Sequence, residues 1–500
     1  MVKKIEKGVA TQGEYFLLLT AFIAGFVVMA LEITAFRIFA PYFGFSIFVS
    51  GTLIGIVMVA LSLGYYLGGK LADKKGDPRT IFNWIFYAMV YVFVTLVSYK
   101  IILAFFSEMF ITGVIVSSIV IFGFPMVVLS MVTPYLIKLI SKSGSVGSAA
   151  GSINAVGTVG AILGTFIPTF FLIPYLGSFA TYAISALLLL MIVILYFARG
   201  NKWFLLNLLF IFAIFFQPTN SDENIIFTEE SAYNLIKVVQ GKGSQYQLRL
   251  NDNGNIQSIY EPDSKFDKDF YFYYLNTAPL MNGASSVLVL GMGAGTSPYQ
   301  MIKLHDVQVD AVEIDPKIVG VAQEYFGLDE VKDNLNIFVD DARSFLKKVD
   351  KRYGVIEVDM YQGGLYAPFY VLTQEFFQEA EEKLNHDGIV ALNVLYHSKA
   401  KDGSLLFDSI GNTVASVFEN VFYLDLHNSN IILFATNEDV TLAEVQGRII
   451  ENAPEKMELH QEIAGALQRY QPTLDAEILT DDKSPLDQLT YKVVSSLSAN

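Results

Sequence analysis

Long apolar stretches dominate the first 219 residues of this 500-residue chain. Six of them reach the length of a membrane-spanning helix, about 20 apolar residues. A seventh apolar segment, residues 203–216, is shorter, and we expect it to lie at the membrane surface rather than to cross. The pattern therefore predicts a transmembrane helical bundle over residues 1–219. The six expected spans are residues 15–36, 46–69, 81–100, 109–137, 150–173 and 178–198.

Short alternating segments replace the long apolar runs over residues 220–286. Turns rich in Gly, Asn and Asp separate them, as is typical of β-hairpins. A helix rich in aromatic residues is expected at 267–276. The pattern predicts a small antiparallel β region. Its expected strands are residues 225–227, 235–240, 245–250 and 256–260.

Apolar strands alternate with helical segments from residue 287 to the end of the chain. Residues 287–290 form a continuous apolar run, as expected for a parallel strand covered on both faces. The alternation predicts a Rossmann-like α/β domain over residues 287–500, with a doubly wound sheet of about seven strands. Further strands are expected at 309–314, 335–339, 353–358, 388–394, 421–424 and 431–435, and helices at 318–326, 342–349, 373–384 and 405–418.

Charge separates the two halves of the chain. Residues 1–219 carry 13 Lys/Arg and 6 Asp/Glu, whereas the remainder carries 21 and 43. An acidic domain repels nucleic acid, because binding to the phosphate backbone requires clustered Lys and Arg. We therefore expect a lipid membrane and a small-molecule substrate as partners, and no nucleic acid.

Eleven of the thirteen basic residues in this half flank the expected spans on one side, which the positive-inside rule makes cytoplasmic. We expect a multi-pass protein of the cell inner (plasma) membrane with its acidic domain in the cytoplasm. If segment 203–216 crossed, that domain would lie outside, away from the supply of nucleoside cofactors. The basic residues are Lys3, Lys4, Lys7, Lys70, Lys74, Lys75, Arg79, Lys138, Lys142, Arg199 and Lys202.

Composition also limits the chemistry. The chain has no cysteine, which excludes disulfides, thiolate catalysis and cysteine metal sites. Its five histidines are scattered without the spacing of metal ligands, so we expect no metal ion.

A glycine-rich turn follows the strand at 287–290. Gly291, Gly293 and Gly295 allow a tight turn and a close approach to a ligand. Glu313 ends the next strand, where an acidic side chain can bind the hydroxyls of a ribose. The combination predicts a nucleoside cofactor, with NAD and S-adenosylmethionine (SAM) as the alternatives.

Two later acidic residues favour SAM as the co-substrate. Asp341 lies between a strand and a helix, where it could cap the helix or bind an adenine amino group. Asp359 lies at the carboxyl end of another strand, where open α/β sheets bind ligands. A dinucleotide site assigns neither residue a role. We also expect Gln362 and Tyr366, on the following loop, to line a substrate pocket.

Residues 229–440 resemble the spermidine synthase (aminopropyltransferase) family. The matching stretches are ESAYN at 230–234, VLVLGMGAGT, AVEIDP, DDARSFL, YGVIEVD and LTQEFF. The stretches PYLIKLI and GSINAVGTVGAILGT of the bundle, and LTDD near the end of the chain, resemble membrane-fused members with a transporter-like half. Since family members are usually dimers or tetramers, a homodimer is one expected state.

The resemblance implies a role for each site residue. The three glycines would hold the methionine portion of SAM, Glu313 its ribose, and Asp341 with Ala342 its adenine. Asp359 lines up with a family acid that helps to deprotonate the attacking amine, with methylthioadenosine as a product. We also expect Tyr233, Tyr271 and Tyr273 in the substrate pocket.

Three carboxylates that the resemblance implies are missing. Ala294, Gln362 and Tyr273 occupy their positions, and these acids normally bind cationic amines. We therefore expect an acceptor other than putrescine. Three alternatives stay open: a SAM lyase whose own amino-acid tail reacts, a SAM-dependent methyltransferase, and a non-catalytic SAM-sensing domain that regulates a transporter-like bundle.

Overall fold

The chain divides into two compact units, residues 1–221 with 230–232 and residues 222–229 with 233–500. Segment 203–216 and the loop residues Gln362 and Tyr366 lie outside the residues that can be described. The structure, a computed structural model, describes residues 2–44, 46–141, 145–197, 224–241, 243–251, 256–262, 270–361, 367–395, 403–427, 430–453 and 458–498.

Long apolar helices form the first unit. Within its described residues, five helical segments are long and apolar enough to cross a membrane, judged by length and composition. These segments are Gly13–Phe43, Ile47–Lys75, Pro78–Phe106, Ile111–Ile140 and Val146–Phe197. The helices are α1 (Val2–Phe43), α2 (Ile47–Lys75), α3 (Pro78–Phe106), α4 (Phe110–Ser118), α5 (Phe124–Ile140), α6 (Val146–Ile167) and α7 (Ile173–Phe197), with π-helical turns at Ile119–Gly123 and Pro168–Leu172.

The segment Val146–Phe197 contains both the fifth and the sixth expected spans, and the number of crossings stays a prediction. A straight helix of its 52 residues would extend about 78 Å, against about 30 Å for the hydrocarbon core of a membrane. Gly177 interrupts the helical geometry with φ 83° and ψ 168°. Both α6 and α7 pack against α1. The segment therefore forms two arms rather than one rod.

The turn between α2 and α3 shows how local sequence sets the helix ends. Gly76 adopts the left-handed conformation at the end of α2, with φ 51°, which glycine tolerates without a steric penalty. The side chain of Asp77 accepts a hydrogen bond from the backbone N–H of Arg79 at 3.3 Å. Pro78 then occupies the first turn of α3, where its missing N–H costs nothing.

A four-stranded sheet opens the second unit, and all four predicted strands are present in it. The neighbours β2 and β3 are antiparallel, as are β3 and β4. In order across the sheet, the strands among the described residues are β1 (Ile225–Glu230), β2 (Leu235–Gln240), β3 (Tyr246–Leu250) and β4 (Ile256–Tyr260). Whether residues 220–286 form a domain of their own stays a prediction.

An eight-stranded sheet of the described residues forms the rest of the second unit, in the order β12-β10-β11-β9-β8-β5-β6-β7. The run β9-β8-β5-β6-β7 is parallel, and β10, β11 and β12 add antiparallel pairings. The predicted doubly wound α/β fold is confirmed, and the short β12 is an addition to it. The strands are β5 (Ser286–Leu290), β6 (Gln308–Glu313), β7 (Leu335–Val339), β8 (Tyr353–Val358), β9 (Leu384–Leu395), β10 (Asn420–Asp425), β11 (Asn430–Thr436) and β12 (Gln468–Arg469).

Helices connect and cover these strands. The expected aromatic helix at 267–276 is shorter in its described part, where only α8 (Phe272–Leu275) has α-helical geometry. The others are α9 (Ala278–Asn282), α10 (Thr296–His305), α11 (Pro316–Tyr325), α12 (Ala342–Lys348), α13 (Gln374–Glu381), α14 (Gly403–Ala415), α15 (Leu442–Asn452), α16 (Glu458–Ala466) and α17 (Leu486–Ser498).

The strand order opens a crevice between β5 and β8. From β5 the chain crosses to β6 on one side, whereas β8 pairs with β5 on the other side. Open parallel sheets bind ligands at the carboxyl ends of two such strands, because the connecting loops diverge there. The fold thus places the glycine loop after β5 beside the loop after β8.

Candidate functional site

A cleft lies at the carboxyl ends of the parallel strands and contains about 890 Å³ of empty space, part of it open to solvent. Seven of the site residues expected from the sequence line it: Tyr271, Gly291, Gly293, Glu313, Asp341, Ala342 and Asp359.

The glycine loop forms one wall of the cleft. Gly291 has φ 90°, and a Cβ there would lie 2.2 Å from the carbonyl oxygen of Asp359. The backbone N–H of Asp359 donates to the carbonyl oxygen of Leu290 at 3.0 Å. The missing side chain at Gly291 therefore allows the ends of β5 and β8 to approach each other.

Glu313, at the end of β6, accepts hydrogen bonds that hold the glycine loop in place. Its Oε2 accepts a hydrogen bond from the N–H of Gly293 at 2.9 Å, and its Oε1 accepts one from the N–H of Asp315 at 3.0 Å. Burial raises the pKa of Glu313 to about 7, although these backbone donors oppose the shift. A carboxylate in this position can still accept hydrogen bonds from ribose hydroxyls with its remaining lone pairs.

Asp341 caps helix α12, one of the two roles that the sequence leaves open. Its Oδ1 accepts a hydrogen bond from the N–H of Ser344 at 2.8 Å, and its Oδ2 accepts one from the hydroxyl of Tyr370 at 2.9 Å. Asp341 and Ala342 also line the cleft. Capping therefore orients the carboxylate beside the space that an adenine would occupy.

Asp359 lies directly after β8 and is held by two neighbouring side chains. The hydroxyl of Tyr271 donates to its Oδ2 at 2.7 Å, and the amide Nδ2 of Asn393 donates to its Oδ1 at 2.9 Å. Loss of hydration raises the pKa of Asp359, and the two hydrogen bonds offset part of this rise. A carboxylate with a raised pKa is a stronger base, which suits proton abstraction from an amine.

The other described site residues lie elsewhere. Gly295 has φ 87°, and its α-carbon faces the side chain of Leu328 rather than the cleft. Tyr273 is buried in an apolar cluster, with its ring 6.2 Å from that of His460. Tyr233 does not line the cleft, whereas the adjacent Asn234 does.

Glu357 is a cleft residue that the sequence analysis missed. It is fully buried on the central strand β8 and lines the same cleft as Asp359. The hydroxyl of Ser297 lies 2.7 Å from its Oε2, and burial raises the pKa of Glu357 to about 8. An acidic residue inside the apolar run of residues 353–358 could have indicated it, because parallel strands covered on both faces are almost entirely apolar.

Part of the second unit matches a known domain family. Residues 271–424 match the spermine/spermidine synthase domain. The second unit carries a spermidine synthase domain. The match includes Tyr271, the glycine loop, Glu313, Asp341 and Asp359.

Relatives of the spermidine synthase domain extend the match. A probable polyamine aminopropyl transferase of Bifidobacterium longum is 29% identical over 297 residues, which cover 56% of this chain and 65% of the relative. This chain thus spans slightly less than two thirds of that relative's length. A polyamine aminopropyltransferase of Vibrio vulnificus is 24% identical over 280 residues, which cover 53% of this chain and 91% of the relative. The crystal structure of spermidine synthase from Thermotoga maritima has 16% identity and a TM-score of 0.40 and covers 49% of this chain and 83% of that one.

The geometry of the domain supports a definite chemistry. The cleft combines a glycine loop, the buried carboxyl group of Glu313, and Asp359, whose pKa is raised by burial. Within the described part of the chain, no three Asp, Glu or His side chains are grouped to hold a metal ion. The side chains that line the cleft can supply hydrogen bonds, negative charge and proton transfer.

Proposed function

We propose that the second unit binds a sulfonium nucleoside, SAM or its decarboxylated form, and breaks the bond between its sulfur and its three-carbon chain. Methylthioadenosine is the nucleoside product. The observation that carries the proposal is the placement of Asp359. It lies beside the glycine loop, within a single backbone hydrogen bond of the end of β5. A base at that position faces the same cleft as the ribose-binding Glu313.

The transfer reaction balances with the groups of the cleft. The lone pair of an acceptor amine forms a new bond to the chain carbon attached to sulfur. The carbon–sulfur bond breaks, and its electron pair neutralises the sulfonium to a thioether. The amine proton moves to the carboxylate of Asp359, which acts as general base. Asn393 and Tyr271 hold the carboxylate in place through the two hydrogen bonds on its oxygens.

The acceptor that we propose is not putrescine. A second ammonium group needs carboxylates to bind it, and Ala294 and Tyr273 stand at two positions where the resemblance to spermidine synthases implies such carboxylates. Ala294 is fully buried, with its N–H bonded to the hydroxyl of Ser258 at 2.9 Å. A less charged acceptor, or the amino-acid tail of SAM itself in a lyase reaction, agrees better with these side chains.

A product assay tests the proposal. The purified full chain is incubated with SAM or with decarboxylated SAM, with and without putrescine, and the nucleoside products are separated. We expect methylthioadenosine, in an amount that putrescine does not increase. Formation of S-adenosylhomocysteine would instead establish methyl transfer, and binding of SAM without any product would establish a sensing domain. An increase with putrescine, together with spermidine as a product, would contradict the proposed acceptor.

Asp359→Asn is the variant for this assay, because it keeps the size and hydrogen-bonding shape of the side chain but cannot accept the proton. We expect a loss of turnover of about 10²- to 10⁴-fold. The matched control is Asp475→Asn, which removes an exposed carboxylate that does not line the cleft. Undiminished methylthioadenosine formation by Asp359→Asn would show that another group is the base.

We also propose that the first unit anchors the chain in the cell inner membrane, with the second unit in the cytoplasm. The break at Gly177 supports six crossings, because it separates two arms of one apolar segment. With six crossings, eleven of the thirteen basic residues in residues 1–219 fall on one side. A lipid membrane and a small-molecule substrate are then the partners, nucleic acid is not, and a homodimer is the proposed assembly.

A further inference from the structure

Glu357 has a hydrogen-bonding capacity that the protein does not use. Its side chain is fully buried, and its Oε1 has no hydrogen-bond partner among the described residues. Its strand neighbours in the sheet are Val289 of β5 and Ala391 of β9, which offer no polar group. A carboxylate buried in this way is costly unless it is protonated or meets a positive charge.

The polar neighbours of Glu357 indicate which of these two states the free protein adopts. The amide of Asn276 donates to Gln300 at 2.7 Å, which leaves its Oδ1 to accept from Ser297 at 2.9 Å. The Ser297 hydroxyl also lies 2.7 Å from Oε2 of Glu357, and its single proton can be donated to only one of these two acceptors. Burial also raises the pKa of Glu357 above neutrality. Burial therefore favours the protonated form of Glu357 in the free protein.

The position of Glu357 relates it to the reaction. It lies on β8, two residues before Asp359, which directly follows that strand. Alternation along an extended chain places residues two apart on the same face. Both line the cleft, together with Tyr271 and Ser297. One strand therefore presents a base and a second carboxyl group to the same bound molecule.

We propose that Glu357 is the receptor for the ammonium group on the three-carbon chain of the sulfonium nucleoside and selects chains that lack a carboxylate. This inference rests on the proposed function, because it assigns the chain end of that same ligand. An ammonium group supplies the donor that Oε1 lacks and the charge that the ionised form requires. An α-carboxylate on the chain would instead oppose ionisation of Glu357 and lie beside the carboxylate of Asp359, and like charges at short range repel.

Two consequences follow. The oxygens of Glu357 are closed to solvent, so binding requires a small movement of side chains in the cleft wall. Glu357 also loses its proton when the ammonium group binds. The titratable groups that face it are Asp359 from its own strand and Tyr271 from the segment before α8, while α10 presents the hydroxyl of Ser297.

The contributions of the ammonium group and of the carboxylate to binding can be measured by calorimetry on the detergent-solubilised full chain. Three nucleosides that lack a reactive sulfonium serve as ligands. S-adenosyl-3-thiopropylamine carries the ammonium group alone, S-adenosylhomocysteine carries ammonium and carboxylate, and methylthioadenosine carries neither. We expect the wild type to bind the amine at least tenfold more tightly than S-adenosylhomocysteine. We also expect binding of the amine at pH 7 to release close to one more proton than binding of methylthioadenosine. Titrations in buffers of different ionisation enthalpy measure this proton release.

Glu357→Gln is the decisive variant, and Asp475→Asn is its control for loss of one negative charge. In Glu357→Gln we expect affinity for the amine to fall about 10- to 100-fold and the extra proton release to disappear. Methylthioadenosine should bind within twofold of the wild type, which also shows that the variant is folded.

Equal losses for the amine and for methylthioadenosine would show that Glu357 has only a structural role and would overturn the inference. Unchanged affinity for the amine would overturn it as well. If the wild type binds none of the three nucleosides, the proposed function itself fails, and the inference fails with it. Binding of methylthioadenosine therefore separates failure of the inference from failure of the proposed function.

Discussion

The hydroxyl of Tyr271 donates a 2.7 Å hydrogen bond to Oδ2 of Asp359. This bond joins the segment before the glycine loop to the end of β8, 88 residues later in the chain. Donation to the ionised carboxylate lowers the pKa of Asp359, against the larger opposite effect of burial. Tyr271 therefore adjusts the pH range over which Asp359 can accept a proton.

Tyr271→Phe tests this adjustment. The variant loses one donor to the carboxylate, so the pKa of Asp359 should rise further. One hydrogen bond of about 1 kcal/mol corresponds to a shift of about 0.5–1 pH unit. We expect the acidic limb of the kcat/KM profile for methylthioadenosine formation to move to higher pH by this amount. An unchanged limb with a lower plateau would show that Tyr271 only shapes the pocket.

Glu313 should make nucleoside binding depend on pH. Its raised pKa of about 7 means that the side chain is protonated below pH 7 and ionised above it. The ionised form accepts hydrogen bonds from ribose hydroxyls more strongly. We expect the affinity for methylthioadenosine to be constant above pH 8 and to fall by up to tenfold per pH unit well below pH 7.

The variant Glu313→Gln is the control for this pH dependence. It should bind methylthioadenosine about tenfold more weakly at pH 8, with a flat profile between pH 5.5 and 8.5. Calorimetric titration at each pH gives the dissociation constant directly. A wild-type profile that is equally flat would show that Glu313 does not titrate in this range.

Gly291→Ala should damage both stability and binding. The new Cβ would lie 2.2 Å from the carbonyl oxygen of Asp359, and φ is 90°. Strain and displacement of the loop should lower the free energy of unfolding by about 1–3 kcal/mol, measured from thermal or denaturant unfolding in detergent. Binding of methylthioadenosine should weaken more than this loss of stability explains, since the loop itself moves.

Gly320→Ala is the matched control for that variant. Gly320 lies in helix α11, where an added Cβ would meet no atom within 4 Å. We expect unchanged binding and a gain in stability of about 0.5–1 kcal/mol, because alanine loses less backbone entropy in a helix. A similar loss in both variants would mean that the close approach at Gly291 is not the cause.

Cysteine labelling can test the proposed membrane arrangement without background, because the chain has no cysteine. With six crossings, Met109→Cys should react with a membrane-impermeant maleimide on intact cells. Lys75→Cys and Leu474→Cys should react only after lysis. Met109 and Leu474 are exposed in the structure, so the thiols are accessible. Labelling of Leu474→Cys in intact cells would place the second unit outside the cytoplasm.

The sequence by itself determined the elements that depend on neighbouring residues. The strand–turn–helix of residues 287–305 follows from an apolar run, glycines that tolerate positive φ, and a helical segment. The hairpin strands β2, β3 and β4 follow from local alternation and turn residues. The ligand-binding edge was also predictable, because the carboxyl ends of parallel strands meet at one edge of a sheet.

Only the tertiary structure decided which side chains share the cleft. Gly295 and Tyr273 belong to sequence motifs of the site but face packed neighbours, Leu328 and an apolar cluster. Glu357 belongs to no motif, yet the pairing of β8 with β5 and β9 places it at the cleft beside Ser297. The periodicity of apolar residues along a strand shows which side chains share a face of the sheet. Which face meets a ligand, and which polar atom is left without a partner, depends on contacts between distant segments.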